Sequence, residues 1–236
     1  MSKIIIANWK NHPETLEEAK ELFEFEVAEA LKYEGVKTVI CPPEQFLEAL
    51  LRINAEFVGA QDFFWDSNMV SYQVGYSLVG HSDRRKAGDT DETVNKKLKS
   101  ALSVGIIPIL LIGEQSKNDD RETVLEGQLV KDLAGLSDSE VKKVLIAYEP
   151  VWAISTNPNA EPDKPENTLK AYKIINDFLF KNYSLESKAI LYGGSVNQNN
   201  VADFLKYPEI FGAVIGGASL RKEEFGEVLK IVSGLK

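Results

Sequence analysis

The chain is poor in the residues that make covalent cross-links and soft-metal sites: among 236 residues it has one cysteine, Cys41, and two histidines, His12 and His81. A lone thiol forms no intramolecular disulfide, and so few ligands exclude the usual Cys/His metal clusters, so a reducing compartment is expected. Long apolar runs are missing as well. The N-terminal MSKIIIANWK has only four apolar residues in a row before Asn8, too few for a signal-peptide core, and no stretch approaches the roughly 18 apolar residues of a membrane span. A cytoplasmic protein with no membrane partner is expected. Basic charge is also short: 27 Lys and Arg stand against 36 Asp and Glu, a net charge of −9. That argues against nucleic acid. It does not exclude an anionic substrate, because backbone N–H groups and one lysine can hold a phosphate on an otherwise acidic surface.

What is present is ordinary globular material, 44% hydrophobic and 27% charged. Short, β-branched apolar runs recur at Lys3–Ala7, Lys37–Cys41, Glu56–Ala60, Tyr76–Gly80, Ile107–Ile112, Val144–Tyr148, Lys188–Tyr192 and Gly212–Ile215. They are continuous rather than alternating, the pattern of parallel strands buried on both faces. Helix-period segments lie between most of them, such as Thr15–Lys32, Asp91–Val104, Arg121–Leu133, Asn167–Asn182 and Asn199–Leu205. Eight such units at about 30 residues each predict one α/β domain over residues 1–236, a (β/α)8 TIM barrel. A doubly wound open sheet is the alternative. Only Gln61–Gly75 separates the third run from the fourth, and it has no helical apolar period, so the third helix is expected to be missing or reduced to a turn. Residues 157–165, rich in Asn and Pro, read as a long loop at a strand exit.

In such a barrel the chemistry sits at the C-terminal ends of the strands. The exits offer Asn8 and Lys10, His81, Glu149, Gly193-Gly194-Ser195, and Gly216-Gly217-Ala218-Ser219. Glu149 ends an apolar run, where desolvation raises a carboxylate's pKa and makes it a better base, although a capping or salt-bridge glutamate is the plainer reading. His81, at a strand exit before a helix, suits a neutral hydrogen-bond donor better than a structural histidine. Lys10 is a solvated lysine by type, but two residues past Asn8 it would offer a fixed charge to an anion. Paired glycines after the last two strands fit a backbone phosphate site. His12 reads as a loop residue.

Seven segments in order resemble one family, triosephosphate isomerase: Asn8-Trp9-Lys10, Cys41-Pro42-Pro43, Gly59-Ala60-Gln61, residues 80–85 (GHSDRR), residues 147–154 (AYEPVWAI), residues 192–196 (YGGSV) and residues 216–220 (GGASL). The resemblance implies interconversion of dihydroxyacetone phosphate and D-glyceraldehyde 3-phosphate, with Glu149 as base, His81 as neutral electrophile, and Lys10 with Asn8 completing the electrostatic site. That glutamate and histidine assignment is the family's established one. It further implies a closing lid over residues 150–160, a phosphate held by main-chain N–H groups of Ser155, Ser195, Gly216 and Gly217, no metal or organic cofactor, and a homodimer. The chain departs from the family pattern in four places. The lid reads Ser155-Thr156-Asn157-Pro158, Asp83 replaces a glutamate, Leu111 stands where cysteine is common, and Gln61–Gly75 lacks the long third loop that reaches a neighbouring subunit. Asn11 replaces the apolar residue that would receive that loop. The aromatics Phe63, Phe64, Trp65 and Tyr72 with Met69 are expected to form a flatter apolar patch that pairs two barrels, with a monomer as the competing outcome. Another phosphate-binding barrel, an aldolase or phosphoribosyl-type isomerase using Lys10 as amine nucleophile, and an inactive barrel are the other functional readings.

Overall fold

Why the apolar runs do not alternate is answered by where their side chains go. In β1 (Lys3–Asn8) Ile4 and Ile6 belong to one buried cluster, while Ile5 and Ala7 belong to another. The same split recurs in every other strand: β2 (Val36–Cys41), β3 (Tyr76–Val79), β4 (Ile107–Ile112), β5 (Leu145–Tyr148), β6 (Ile190–Tyr192) and β7 (Ile210–Ile215). One set, including Val39, Leu78, Ile109, Leu111, Ala147, Leu191 and Val214, fills the space between the strands, and the other packs beneath the helices. Both faces are dry, which is why both carry apolar residues.

A computed structural model of the chain describes residues 3–64 and 74–235. All described strand pairs are parallel, in the order β2-β1-β7-β6-β5-β4-β3. The gap between β2 and β3 is closed by residues 58–60, where Val58 bridges Ile40 and Ala60 bridges Ser77. This is the expected α/β barrel, with one correction: the third run is not a full strand. Ala55–Phe57 winds into a 3₁₀ turn because Asn54 caps it, its side chain accepting the Glu56 N–H at 3.2 Å. Only the last residues of the run remain extended.

The helices are α1 (Leu16–Ala30), α2 (Leu47–Asn54), α3 (Ser82–Lys86), α4 (Asp91–Ser103), α5 (Arg121–Asp132), α6 (Asp138–Val141), α7 (Pro165–Tyr183), α8 (Val201–Leu205) and α9 (Lys222–Ser233). Helix α1 starts at a Thr15/Glu18 capping box, and it buries Ala19, Leu22, Phe23, Glu26 and Ala30, one face at helical spacing. Glu26 is the polar intruder on that face. The described part of Gln61–Gly75 carries no helix, and its residues 65–73, on which much of the expectation about the third helix falls, lie outside the described residues. Among the described residues no helix is long and apolar enough to cross a membrane.

Register then sets the layer above the barrel core. Asn8 pairs with Cys41 and Ile112 with Tyr148, while Gly193 N–H donates to Tyr148 O at 2.8 Å. Two residues past the inward side chains Ile6, Ala147, Leu111, Leu191 and Val214 therefore come Asn8, Glu149, Gly113, Gly193 and Gly216. Glycine leaves room and the polar residues fill it. At Gly113 the space is needed outright, since a Cβ there would lie 2.0 Å from the Glu149 carbonyl oxygen.

Candidate active site

The exit of β1 is held in an uncommon shape. Trp9 N–H donates to Cys41 O at 3.1 Å, and its buried indole N–H is shared by both carboxyl oxygens of Glu26, at 3.1 and 3.2 Å. Burial pushes the Glu26 carboxyl well above the ordinary glutamate value, with the indole bond opposing. Lys10 follows at φ 54°, in the left-handed region that side chains disfavour. Its N–H donates to Asn8 Oδ1 at 3.1 Å, and its Nζ lies 3.1 Å from Asp83 Oδ2. The shorter carboxylate at position 83 still reaches the ammonium.

After β3, Gly80 takes φ 77° and turns the chain so that His81 enters the mouth. His81 Nδ1 accepts the Asp83 N–H at 3.1 Å, which leaves the ring proton on Nε2. Nε2 stands 3.0 Å from Glu149 Oε1, and the other carboxyl oxygen accepts the Ser82 N–H at 2.9 Å. Glu149 is 3% exposed. Burial raises its carboxyl above the ordinary glutamate value, and contacts with His81, the Ser82 N–H and Lys10 oppose part of that rise.

The segment after Glu149 is tied to a second buried carboxylate. Glu114, at the exit of β4, accepts from Tyr148 Oη at 2.7 Å, Arg121 Nε at 2.9 Å and Trp152 Nε1 at 3.3 Å, while its carbonyl accepts the Val151 N–H at 3.0 Å. Further along, Ser155 N–H donates to Ser195 Oγ at 2.7 Å, and Asn157 joins the Val151 carbonyl to the Lys86 ammonium, each at 2.7 Å.

A cavity of about 710 Å³ opens beside these groups, within the size range of small-ligand sites. Asn8, Lys10, His81, Gly216 and Gly217 line it, as do Thr156 and Gln61. A Cβ on Gly216 would lie 3.7 Å from Lys10 Cε, so the glycine turn and the ammonium face the same space. Of the residues expected from the sequence, Glu149 sits behind His81 rather than on the wall. Ser155 and Ser195 bind each other and do not line the cavity. His12 and the exposed Asn11 lie on the rim. Gln61 and Glu114 were missed although both are polar residues at strand exits, the signal that picked out the others. Among the described residues no cluster of His, Cys, Asp and Glu is placed to hold a metal ion.

Comparison with known proteins agrees with this geometry. The family model for triosephosphate isomerase matches residues 3–232. The triosephosphate isomerase of Dictyoglomus thermophilum is 37% identical, covering 97% of this chain and 98% of its own length. Those of Caldanaerobacter subterraneus subsp. tengcongensis, 37% identical over 96% of this chain and 98% of its own, and of Dehalococcoides mccartyi, 35% identical over 98% and 96%, are similar throughout. With a parallel barrel, a buried glutamate against a histidine at its mouth, and likeness along nearly its whole length to these enzymes, the chain belongs to the triosephosphate isomerase family.

Proposed function

We propose that this cavity is where the chain, as an aldose–ketose isomerase, interconverts dihydroxyacetone phosphate and D-glyceraldehyde 3-phosphate, with Glu149 as the base. The observation that carries the assignment is the Glu149 carboxylate, 3% exposed, between His81 Nε2 and the Ser82 N–H. A desolvated carboxylate is a stronger base than one in water, and a proton taken from the carbon beside a carbonyl leaves an enediolate. His81, with its proton on Nε2, donates to the oxygen where that charge grows. Lys10 supplies fixed positive charge, held near Asn8, and such preorganised groups act most strongly in a water-poor site. Glu149 then returns the proton to the neighbouring carbon.

In the arrangement described, both Glu149 oxygens are engaged. A substrate oxygen that takes over the His81 Nε2–H frees the carboxylate to turn toward the cavity. Ser155 and Ser195 must likewise exchange their mutual bond for phosphate, with Gly216 and Gly217 offering backbone N–H groups on the opposite wall. Residues 150–160 act as the lid. Exclusion of water protects the enediolate phosphate, which otherwise loses phosphate. A coupled isomerisation assay on the full chain and Glu149→Gln tests the reading: turnover in the parent that falls by orders of magnitude in the variant is expected, and equal turnover in both would remove Glu149 from this role.

For the whole molecule we propose one cytoplasmic domain that pairs as a homodimer through a reorganised interface. The reading rests on the family resemblance rather than on the expected aromatic patch, since Phe63 is buried in the core and Phe64 is half-buried under Arg84 and Lys97, at 5.2 and 4.5 Å from its ring centre. Trp65, Met69 and Tyr72 lie outside the described residues. Light scattering that gives only a 26.3 kDa species at high concentration, with full activity, would overturn the dimer.

A further inference from the structure

We propose that Gln61 is a positioning residue for Lys10, its side-chain amide holding the loop after β1 in the backbone conformation that aims the ammonium into the cavity. The inference deepens the reading above and rests on the role given there to Lys10.

A lysine at φ 54° keeps that conformation only where its surroundings over-determine it. Three contacts do so. The Lys10 N–H goes to Asn8 Oδ1 at 3.1 Å, the ammonium lies 3.1 Å from Asp83 Oδ2, and the Lys10 carbonyl accepts Gln61 Nε2 at 2.7 Å. The same Gln61 nitrogen donates to Cys41 O at 2.9 Å. Two carbonyl oxygens face it, so the amide must present nitrogen there, and both of its N–H groups are used. Cys41 O also accepts the Trp9 N–H. One amide therefore joins the exits of β1, β2 and the short bridging segment that ends at Ala60.

Gln61 is itself fixed from the next residue. Asp62 takes Lys97 Nζ at 2.7 Å on each oxygen and Arg84 Nε at 2.8 Å, and Lys97, fully buried, also meets Asp89 at 2.5 Å. Gln61 lines the cavity without belonging to either apolar cluster. The ties run from an anchored ionic network through the amide to the strained residue, all within one chain.

The test uses the full chain and reads kcat, KM, inhibition by inorganic phosphate and thermal unfolding. Gln61→Glu keeps the shape and removes both donors, and Gln61→Ala removes the whole side chain. In both, kcat/KM is expected to fall by about 10- to 100-fold, the scale of a displaced catalytic group, mostly through KM and weaker phosphate inhibition, with little change in melting temperature. The decisive arm is Gln61→Ala in a Lys10→Ala background, where the further loss is expected to be under about threefold because the two residues act as a unit. An equal loss in both backgrounds, or no loss from Gln61 variants while Lys10→Ala is damaging, overturns the inference. If Lys10→Ala leaves kcat/KM unchanged, the reading of Lys10 is what fails. The rate of acylation of the Lys10 amine, mapped by mass spectrometry in Gln61→Glu against the parent, then decides placement alone, and an unchanged rate overturns it.

Discussion

The two sides of the mouth are built to opposite specifications. On one, Glu149 and His81 are 3% and 6% exposed and already stand 3.0 Å apart, Oε1 against Nε2. On the other, the Lys10 side chain is 25% exposed, and Gly217 and Ser155 lie open to solvent. Proton transfer gains from dryness, because burial raises the base's proton affinity and water competes with every hydrogen bond. Phosphate capture needs an entrance, and a charged group buried without its ligand would carry a desolvation cost. Under the proposed roles, the dry side is set beforehand, whereas the wet side is left for ligand and lid to complete.

The largest test of that contrast is Glu149. Glu149→Gln should lower turnover by about 10²- to 10⁴-fold, the usual range for a general base, and Glu149→Asp by about 10²-fold, since retracting the group by roughly 1 Å has that effect. Both should keep their affinity for a phosphate-bearing inhibitor, and a large loss of that affinity would show that the two sides are not separable. The acid limb of the parent's kcat/KM profile, which reports the free enzyme, should lie above the ordinary glutamate value of 4.5, because the carboxylate is lost as pH falls through its raised pKa.

Next in size, the two partners should divide by parameter. His81→Gln is expected to depress turnover more than binding. Lys10→Ala should weaken both substrate and inhibitor binding, with Lys10→Arg restoring only part because the guanidinium differs in shape. Equal small effects from His81 and Lys10 variants would erase the distinction. Smaller again, Asn157→Ala removes the bond from Lys86 to the proposed lid and the bond within it to the Val151 carbonyl. A severalfold change in KM with near-parental chemistry in single turnover is expected, and a change confined to the chemical step would place Asn157 with the dry side.

The smallest effect is on stability. Glu26 holds Trp9, the residue before Lys10, and its carboxyl is raised by burial. A carboxyl raised on folding contributes stability that is complete below the unfolded value near 4.5 and lost as pH climbs through the folded value. Glu26→Gln keeps an acceptor and cannot ionise, so its melting temperature should gain on the parent's as pH rises above 4.5. Parallel curves would mean that Glu26 stays neutral in both states or is charged in both.

Much of this was legible residue by residue. Apolar runs marked the strands because each is buried on two faces, and position at a strand exit marked Asn8, Lys10, His81, Glu149 and the glycine pairs. The third run misled because Glu56 and Phe57 are apolar-flanked like a strand, while the Asn54 cap winds them into a turn. Phe63, expected in an apolar patch that pairs two barrels, is instead buried in the core of its own barrel.

Which chemical groups stand at the ends of the strands can be read from residue order, since hydrophobic periodicity is a local property that each strand carries alone. How those groups meet is set by the folded barrel. Ser82 and Glu149, 67 positions apart, are joined by the register of β3, β4 and β5, and Gln61 reaches the Lys10 carbonyl across 51. The left-handed Lys10 depends on such a contact, because hydrogen bonds between distant residues exist only once the parallel barrel has set their distances, whereas the proton on His81 Nε2 is set locally by the Asp83 N–H.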